Sequence, residues 1–450
     1  MIDPSSAGRA RDREILRLAV PALGALVAEP LFLLADAAIV GNLGTAPLAG
    51  LGVAGAVLST LVYLCVFLAY ATTAAVGRSV GAGDLRAAAQ QGIDGLWLAA
   101  GLGVVLALAG AAAAPVLVDA LGATPAARPF ALVYLRVSAV GLPAMLVVLA
   151  ATGALRGALD VRTPLVVAAT GAAANVGLNY VLVYPAGWGI AGSALGTVIA
   201  QVGMAAALTA VVVRRARRHG ASLRPDSAGI RTSASASGAL FLRTLTLRIY
   251  LLAAVAWAGA AGTVALAAHT VAVAVWGFLA LALDAVAIAA QALVARGLGA
   301  GDVGDVRAVT RRLAWWGLWS GAGTGVLVLA CLPWAPGLFS PDPAVRHLLG
   351  DVLVLVALLQ VVAGVTFALD GVLIGAGDHA YLAVTGVATL AVFLVAAWAA
   401  TAAGGGLVGL WWAVGAHTAA RLAVLVARTR GSAWLRTGAA PPGGRGGRPA

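Results

Sequence analysis

The chain has little charge for its length, and it has no lysine at all. Charged residues make up 10% of its 450 residues, whereas they make up about 25% of a soluble globular protein. Hydrophobic residues make up 62%. Such a composition excludes a water-soluble fold with a polar surface, so we expect an integral membrane protein.

Cysteine is scarce too, and the motifs of common enzymes are missing. Cys65 and Cys331 are the only cysteines; they lie far apart in apolar segments, which indicates neither a disulfide framework nor a metal site. The sequence has no Walker A motif and no nucleophile with a paired base. A membrane-embedded transferase would need an acid pair or metal ligands near one surface, and no such cluster is visible. We therefore expect no enzyme, no metal and no cofactor.

All 29 basic residues are arginines, and they give a net charge of +12. They gather in short segments between apolar runs, as the positive-inside rule describes for membrane proteins. No basic face is interleaved with aromatic residues, so we do not expect nucleic-acid binding.

Twelve apolar segments are long enough to cross a membrane, since a spanning helix needs about 20 mostly apolar residues. The first is too long for a signal peptide and is read as a spanning helix. The segments lie near residues 15–40, 47–77, 88–118, 129–152, 163–184, 189–213, 239–260, 264–295, 309–332, 345–369, 380–402 and 406–428.

The spans divide into two halves of six. Residues 1–213 form the predicted amino-terminal lobe and residues 239–428 the carboxy-terminal lobe, joined by a polar cytoplasmic linker at 214–238. Residues 429–450 are rich in Pro and Gly toward their end and are predicted to be a disordered cytoplasmic tail.

The two halves repeat each other at one fixed offset, in which position 81 corresponds to position 299. GAGD recurs at 81–84 and 299–302, Pro115 matches Pro333, GALRGALD at 153–160 matches GVLIGAGD at 371–378, and LGTAPLA at 43–49 matches AGTVALA at 261–267. Because six spans is an even number, both halves should insert the same way up. Such a parallel repeat is found in secondary transporters, with substrate and ion sites near the midplane.

Arginine placement predicts the orientation. Most of the arginines lie in the amino terminus, the linker, the tail and the connections that follow even-numbered spans. Four of the opposite connections have no arginine. Both termini are therefore predicted to be cytoplasmic, in the cell's inner (plasma) membrane.

One acid stands out in the first apolar run. Asp36 lies in LADAAIVG, residues 34–41. A charged side chain at the centre of a membrane helix costs roughly 2.5–3.5 kcal/mol on insertion scales, so an acid there is a functional candidate by default. Bracing of a bent helix is the structural alternative.

Several segments carry a resemblance to a known family: PALGALVAEPLFLLADAAIVGNLG (21–44), GALRGALDVRTPL (153–165), GWGIAGSALGTVIAQ (187–201), LDAVAIAAQALVARGLGAGD (283–302) and LDGVLIGAGD (369–378). They resemble the multidrug and toxic compound extrusion (MATE) family, in its DinF-like branch, over nearly the whole chain. The resemblance implies twelve helices in two six-helix lobes and a cation-driven antiporter that exports varied organic compounds.

The resemblance also implies site residues. Pro21 falls at the helix kink of the family's first helix, Asp36 at its proton-linked carboxylate, and Thr197 at a site position. The family's Asn-x-x-x-Asp on the fifth helix is here Asn175 and Asn179, so the second acid is an amide. Spacing of four still puts both amides on one helical face, but an amide cannot titrate.

Other polar residues in the apolar spans are weaker candidates. Asp284 and Gln291, two turns apart, and the lone His269 are candidates in the second half. Glu29 beside Pro30 and Asp370 near the end of the tenth span are further ones; a helix-end interaction with the following Gly-rich turn would also explain Asp370.

These observations predict a monomeric antiporter in the lipid bilayer that exports amphipathic, often cationic organic compounds in exchange for protons. Sodium coupling remains open. The other alternative is a flippase for lipid-linked precursors, which would need arginines in its cleft; only Arg243 and Arg248 lie mid-span.

Overall fold

The computed structural model describes residues 4–439, with all their side chains except those of 4–7, 227–228 and 231–236. This part of the chain has fifteen α-helices and no strand. The first half contains α1 (Pro4–Gly41), α2 (Thr45–Leu64), α3 (Phe67–Gly81), α4 (Leu85–Ala120), α5 (Arg128–Ala139), α6 (Leu142–Gly157), α7 (Arg162–Val183) and α8 (Gly189–Arg218). The second contains α9 (Ser227–Ala260), α10 (Thr263–Gly299), α11 (Val303–Cys331), α12 (Ala335–Phe339), α13 (Pro343–Gly375), α14 (His379–Ala402) and α15 (Gly406–Arg430).

The all-α membrane fold is confirmed. Among the described residues, eleven helical segments are long and apolar enough to cross a membrane, and α5 with α6 make a twelfth if this pair is one span. The pair is bent by 51°. Pro143 at the start of α6 has no N–H to continue the ladder from α5, which accounts for a break that hydropathy did not predict.

The repeat between the two halves is visible in the turns. Gly83 and Gly301 have φ values of +78° and +77°, which a glycine adopts without steric cost. Asp84 and Asp302 then cap α4 and α11, each accepting a hydrogen bond from the backbone N–H three residues on. The GAGD segments are therefore matching helix connectors.

One pair of equivalent turns has the same backbone conformation but a different residue type. Gly377 has a φ of +72°, and its counterpart in the first half is Leu159, with a φ of +61°. Leu159 is the only non-glycine residue with a positive φ among those described. The first half thus forms this turn with a leucine, a residue type that rarely adopts a positive φ.

The same helix packing recurs in both halves because small residues let backbones approach closely. A Cβ on Gly153 of α6 would lie 2.4 Å from the carbonyl oxygen of Ala69 on α3. In the second half, a Cβ on Gly371 of α13 would lie 2.4 Å from the carbonyl oxygen of Ala287 on α10. Both residues of this second pair are the repeat equivalents of the first.

The chain forms two compact units. Gly24–Ser237 make one, and the described residues on either side of this range make the other. Helix α1 therefore begins in the unit of the second half and ends in the unit of the first, whereas α9 does the reverse. Of the predicted linker, residues 219–226 lie between α8 and α9. Residues 440–450 of the predicted tail lie outside the described range, and Trp434 within it is buried.

Candidate functional site

Asp36 lies near the end of α1 with 2% of its surface exposed. Three neutral side chains from three other helices donate hydrogen bonds to its carboxylate. The Tyr134 hydroxyl on α5 donates to Oδ2 at 2.9 Å, and Asn179 Nδ2 on α7 donates to Oδ1 at 2.8 Å. The Ser193 hydroxyl on α8 also donates to Oδ1.

A second layer of hydrogen bonds joins α7 to α8. Asn179 Nδ2 donates to Asn175 Oδ1 at 3.2 Å, and Asn175 Nδ2 donates to the Thr197 hydroxyl at 3.1 Å. Thr197 in turn donates to the Ser193 carbonyl at 3.1 Å. Asn175, Asn179 and Thr197 are all buried. The structure therefore joins these three predicted site residues in one network, which reaches Asp36 through Asn179.

The observed position of the Asn179 side chain requires a glycine opposite it on α8. A Cβ on Gly196 of α8 would lie 2.1 Å from Asn179 Oδ1. Since Asn179 Nδ2 serves both Asp36 and Asn175, the amide nitrogen is fully used. Asn179 Oδ1 is buried and has no hydrogen-bond partner among the described residues. The site thus contains one spare acceptor beside the acid.

An apolar cluster packs beside this polar network. Tyr134 belongs to a buried cluster with Val40, Leu135, Ile190 and Ala194, from the same helices that form the site or their neighbours. The donors to Asp36 are hydroxyl and amide groups, and no arginine forms an ion pair with it among the described residues. A buried carboxylate with only neutral donors can take up a proton without breaking an ion pair.

The sequence did not point to Tyr134 or Ser193. Ser193 lies one turn before Thr197 on α8, at the spacing of four that places both on one face, so this signal was available. Tyr134 had none, because its contact with Asp36 joins residues 98 positions apart.

Pro21 and Glu29 lie on α1 outside this network. Helix α1 is continuous through Pro21, which cannot donate the hydrogen bond expected by the carbonyl of Arg17. The boundary between the two compact units follows at Leu23 and Gly24. The side chain of Glu29 is exposed and takes no part in the hydrogen bonds around Asp36.

In the other unit, Asp370 is held by arginines. Arg243 on α9 forms a two-pronged ion pair with its carboxylate, and Arg421 Nη2 on α15 lies 3.6 Å from Oδ1. The cavity beside these side chains has a volume of about 20 Å³, room for about one water molecule. Its ion pairs, rather than the turn after α13, account for this buried acid.

The remaining candidates of that unit do not form a comparable cluster. Gln291 is buried, whereas Asp284, two turns earlier on α10, is partly exposed. His269 is 1% exposed; its ring lies 5.9 Å from that of Trp411, and neither ring nitrogen has a hydrogen-bond partner among the described residues. No group of three or more His, Cys, Asp or Glu residues that could hold a metal ion occurs in the described part of the chain.

Comparison with known proteins gives a consistent assignment. The family model described as MatE matches residues 21–181 and 239–398. Protein DETOXIFICATION 44, chloroplastic, from Arabidopsis thaliana is 30% identical over 449 residues, which are 95% of this chain and 84% of that protein. DNA damage-inducible protein F of Escherichia coli K12 is 30% identical over 191 residues, which cover 42% of each chain.

Solved structures agree on the fold. A crystal structure of MATE in the bent conformation has a TM-score of 0.85 at 21% identity, covering 94% of this chain and 96% of that one. A MOP superfamily transporter from Pyrococcus furiosus has a TM-score of 0.83 at 21% identity, covering 95% and 97%. The fold, the matched family model and the relative that spans nearly the whole chain agree, and the chain belongs to the MATE family of multidrug and toxic compound efflux transporters.

Proposed function

We propose that the protein is an antiporter in which Asp36 takes up the driving ion, a proton, and that it exports amphipathic, often cationic organic compounds in exchange. The observation that carries this proposal is the burial of Asp36 among neutral donors from three helices. A structural carboxylate of similar burial, Asp370, is paired with arginines instead.

Protonation would change the bonding of Asp36. A carboxylate only accepts hydrogen bonds, whereas a carboxylic acid also donates one. Rotation of the Asn179 amide would turn Oδ1, the spare acceptor, toward the new O–H. The two donor bonds of Asn179 Nδ2, to Asp36 and Asn175, would then break, and α7 would be released from α1.

The first helix would carry this change along its length. Asp36 lies in one compact unit, and the part of α1 before Gly24 lies in the other. Pro21 removes a backbone hydrogen bond just before this crossing, so α1 should bend there at low cost. A proton that moves down a potential of 100 mV supplies about 2.3 kcal/mol, enough for modest uphill export.

The side of the membrane with most arginines would face the cytoplasm, with both termini, in the plasma membrane, and the transporter would act as a monomer. Its spans consist mainly of apolar residues with a few Asn, Gln and Thr. Such a lining would accept substrates without one fixed geometry.

The test is Asp36→Asn, which keeps the shape of the side chain but can no longer bind and release a proton. Dye efflux would be measured in vesicles energised in parallel by a proton gradient or a sodium gradient. Wild type should respond to the proton gradient, and Asp36→Asn should fall to the level of vesicles without the protein.

Asp119→Asn is the matched control, because Asp119 forms an exposed pair with Arg128 in the same unit. It should transport like wild type. A folded Asp36→Asn protein that exports dye at the wild-type rate would refute the assignment, and wild-type efflux driven by sodium alone would replace the proton with sodium.

A further inference from the structure

A groove lies between α11, α13 and α15, with a volume of about 650 Å³. Four aliphatic side chains line part of it: Ala314, Val365, Leu369 and Val426. It is formed by the first turns of α11 and the last turns of α15, so it opens at the end of the helices where the arginines of the sequence cluster.

Three arginines line this groove: Arg307, Arg311 and Arg430. Their side chains are exposed, and within the described residues none of them pairs with a carboxylate. Arg312, the neighbour of Arg311, does have such a partner in Asp12. The groove therefore combines aliphatic side chains with three positive charges that have no counter-charge among the described residues.

A buried hydroxyl in the same groove also lacks a hydrogen-bond partner in the described part of the chain. Thr310 lies on α11 between two of these arginine positions and is 7% exposed. Its Oγ1 is buried and makes no hydrogen bond to any described residue. A threonine in a membrane helix usually bonds its own backbone, as Thr324 does on this helix. Thr310 is free to bond a molecule in the groove.

The repeat provides an internal comparison. The equivalent groove of the other unit, between α4, α6 and α8, has a volume of about 300 Å³. At the repeat equivalents of the three arginines the first half has Ala89, Ile93 and Val212, and Gly92 replaces Thr310. That groove has arginines of its own at other positions, Arg215 and Arg218, and Arg215 forms an ion pair with Asp160. The two grooves therefore differ in where their arginines lie and in size, and an arginine trio beside a buried threonine occurs at these positions only in the second half.

We propose that the groove between α11, α13 and α15 binds an anionic phospholipid. The headgroup phosphate would lie among Arg307, Arg311 and Arg430 and accept a hydrogen bond from Thr310, and an acyl chain would lie along Val365, Leu369 and Val426. Basic pockets between spanning helices on the cytoplasmic side bind such headgroups. The aliphatic side chains favour a lipid over free phosphate. Lipid binding here is independent of ion uptake at Asp36.

The test counts bound lipid by native mass spectrometry of the full-length protein, with phosphatidylglycerol or phosphatidylcholine of the same acyl chains. Wild type should retain phosphatidylglycerol selectively. In the Arg307→Gln, Arg311→Gln, Arg430→Gln variant, binding should weaken roughly tenfold or more, because each arginine contributes a favourable interaction with the anionic lipid.

The matched control replaces Arg86, Arg214 and Arg217 by Gln, since these are exposed arginines of the other unit that line neither groove. It loses the same charge and should keep its lipid. Equal loss in both triple variants, or competition by millimolar inorganic phosphate as strong as by lipid, would overturn the proposal. Should the groove variant not fold, the single variants Thr310→Val and Arg430→Gln are measured instead. Each should lower selective binding, and unchanged binding in either one would overturn the proposal.

Discussion

At the scale of single residues, the two oxygens of Asp36 are not equivalent. Tyr134 donates to Oδ2, whereas Asn179 and Ser193 both donate to Oδ1. A hydrogen bond to a charged group contributes about 1.5–3 kcal/mol. Loss of the Tyr134 hydroxyl would leave Oδ2 without its donor, but loss of the Ser193 hydroxyl would leave Oδ1 with Asn179.

Tyr134→Phe should therefore slow proton-driven dye efflux by about tenfold, which corresponds to about 1.4 kcal/mol. Ser193→Ala should have a smaller effect. Both are measured as initial rates in vesicles with equal amounts of inserted protein. Tyr180→Phe is the control, because Tyr180 is an exposed tyrosine of the same unit. Equal rates for Tyr134→Phe and Tyr180→Phe would exclude a role of the hydroxyl in ion uptake.

At the scale of helices, α11 and α13 pack through glycines at every fourth position. Cβ atoms on Gly317, Gly321 and Gly325 of α11 would lie 2.4, 2.2 and 2.5 Å from carbonyl oxygens of α13. Apolar lipid provides little driving force for helix association, so close van der Waals contact must supply it. These glycines allow the two backbones to touch.

Gly321→Ala should destabilise the protein by about 1–3 kcal/mol, the usual cost of adding a carbon to a well-packed site. The added carbon meets the Gln360 carbonyl, which is backbone and cannot rotate away. Gly323→Ala, two residues on, meets no atom within 4 Å and should be neutral or slightly stabilising. Thermal unfolding in detergent measures both. An unchanged midpoint for Gly321→Ala would show that α11 and α13 can separate without cost.

At the scale of the molecule, α1 belongs to both compact units. Its start is fastened to α10 and α11 by three ion pairs: Arg11 with Asp305 at 2.8 Å, Glu14 with Arg296 at 2.9 Å, and Asp12 with Arg312. Trp316 Nε1 also donates to Asp12, at 2.8 Å. Ion pairs of this exposure contribute only about 0–1 kcal/mol each to stability, so their effect should be on how α1 moves.

Asp12→Arg and Arg312→Asp should each lower efflux with little change in the unfolding temperature, because like charges then face each other at the start of α1. The double variant restores opposite charges and should recover most of the rate. The same exchange at the exposed Asp119–Arg128 pair should leave efflux unchanged. Failure of the double variant to exceed both single variants would show that the pair itself is not required.

Much of this fold follows from local sequence. Apolar length alone indicates spanning helices, and the register of the repeat marked turns that the structure forms with the same backbone conformation. Asp36 was recognisable because a carboxylate in an apolar run needs compensation, and Asn175 and Asn179 because a spacing of four defines one helical face.

The partners of Asp36 across helices could not be derived in this way. Tyr134 meets Asp36 because α5 and α1 cross at that height with those faces turned together, and hydropathy records neither the rotation of a helix nor its crossing point. Contacts between distant helices also determine three other features that the sequence did not predict: the bend between α5 and α6, the division of α1 between two units and the pairing of Asp370 with arginines.

The sequence by itself determined that this chain is a twelve-segment membrane protein built from two related halves, with one conspicuous acid in its first span. Composition and period are sufficient for that, because lipid demands apolar length and internally bonded backbone. Only the tertiary structure decided which acid is paired with arginines and which with neutral donors. It also decided which arginines line a groove and which simply flank a span. The physical reason is that burial and bonding depend on contacts between helices far apart in sequence.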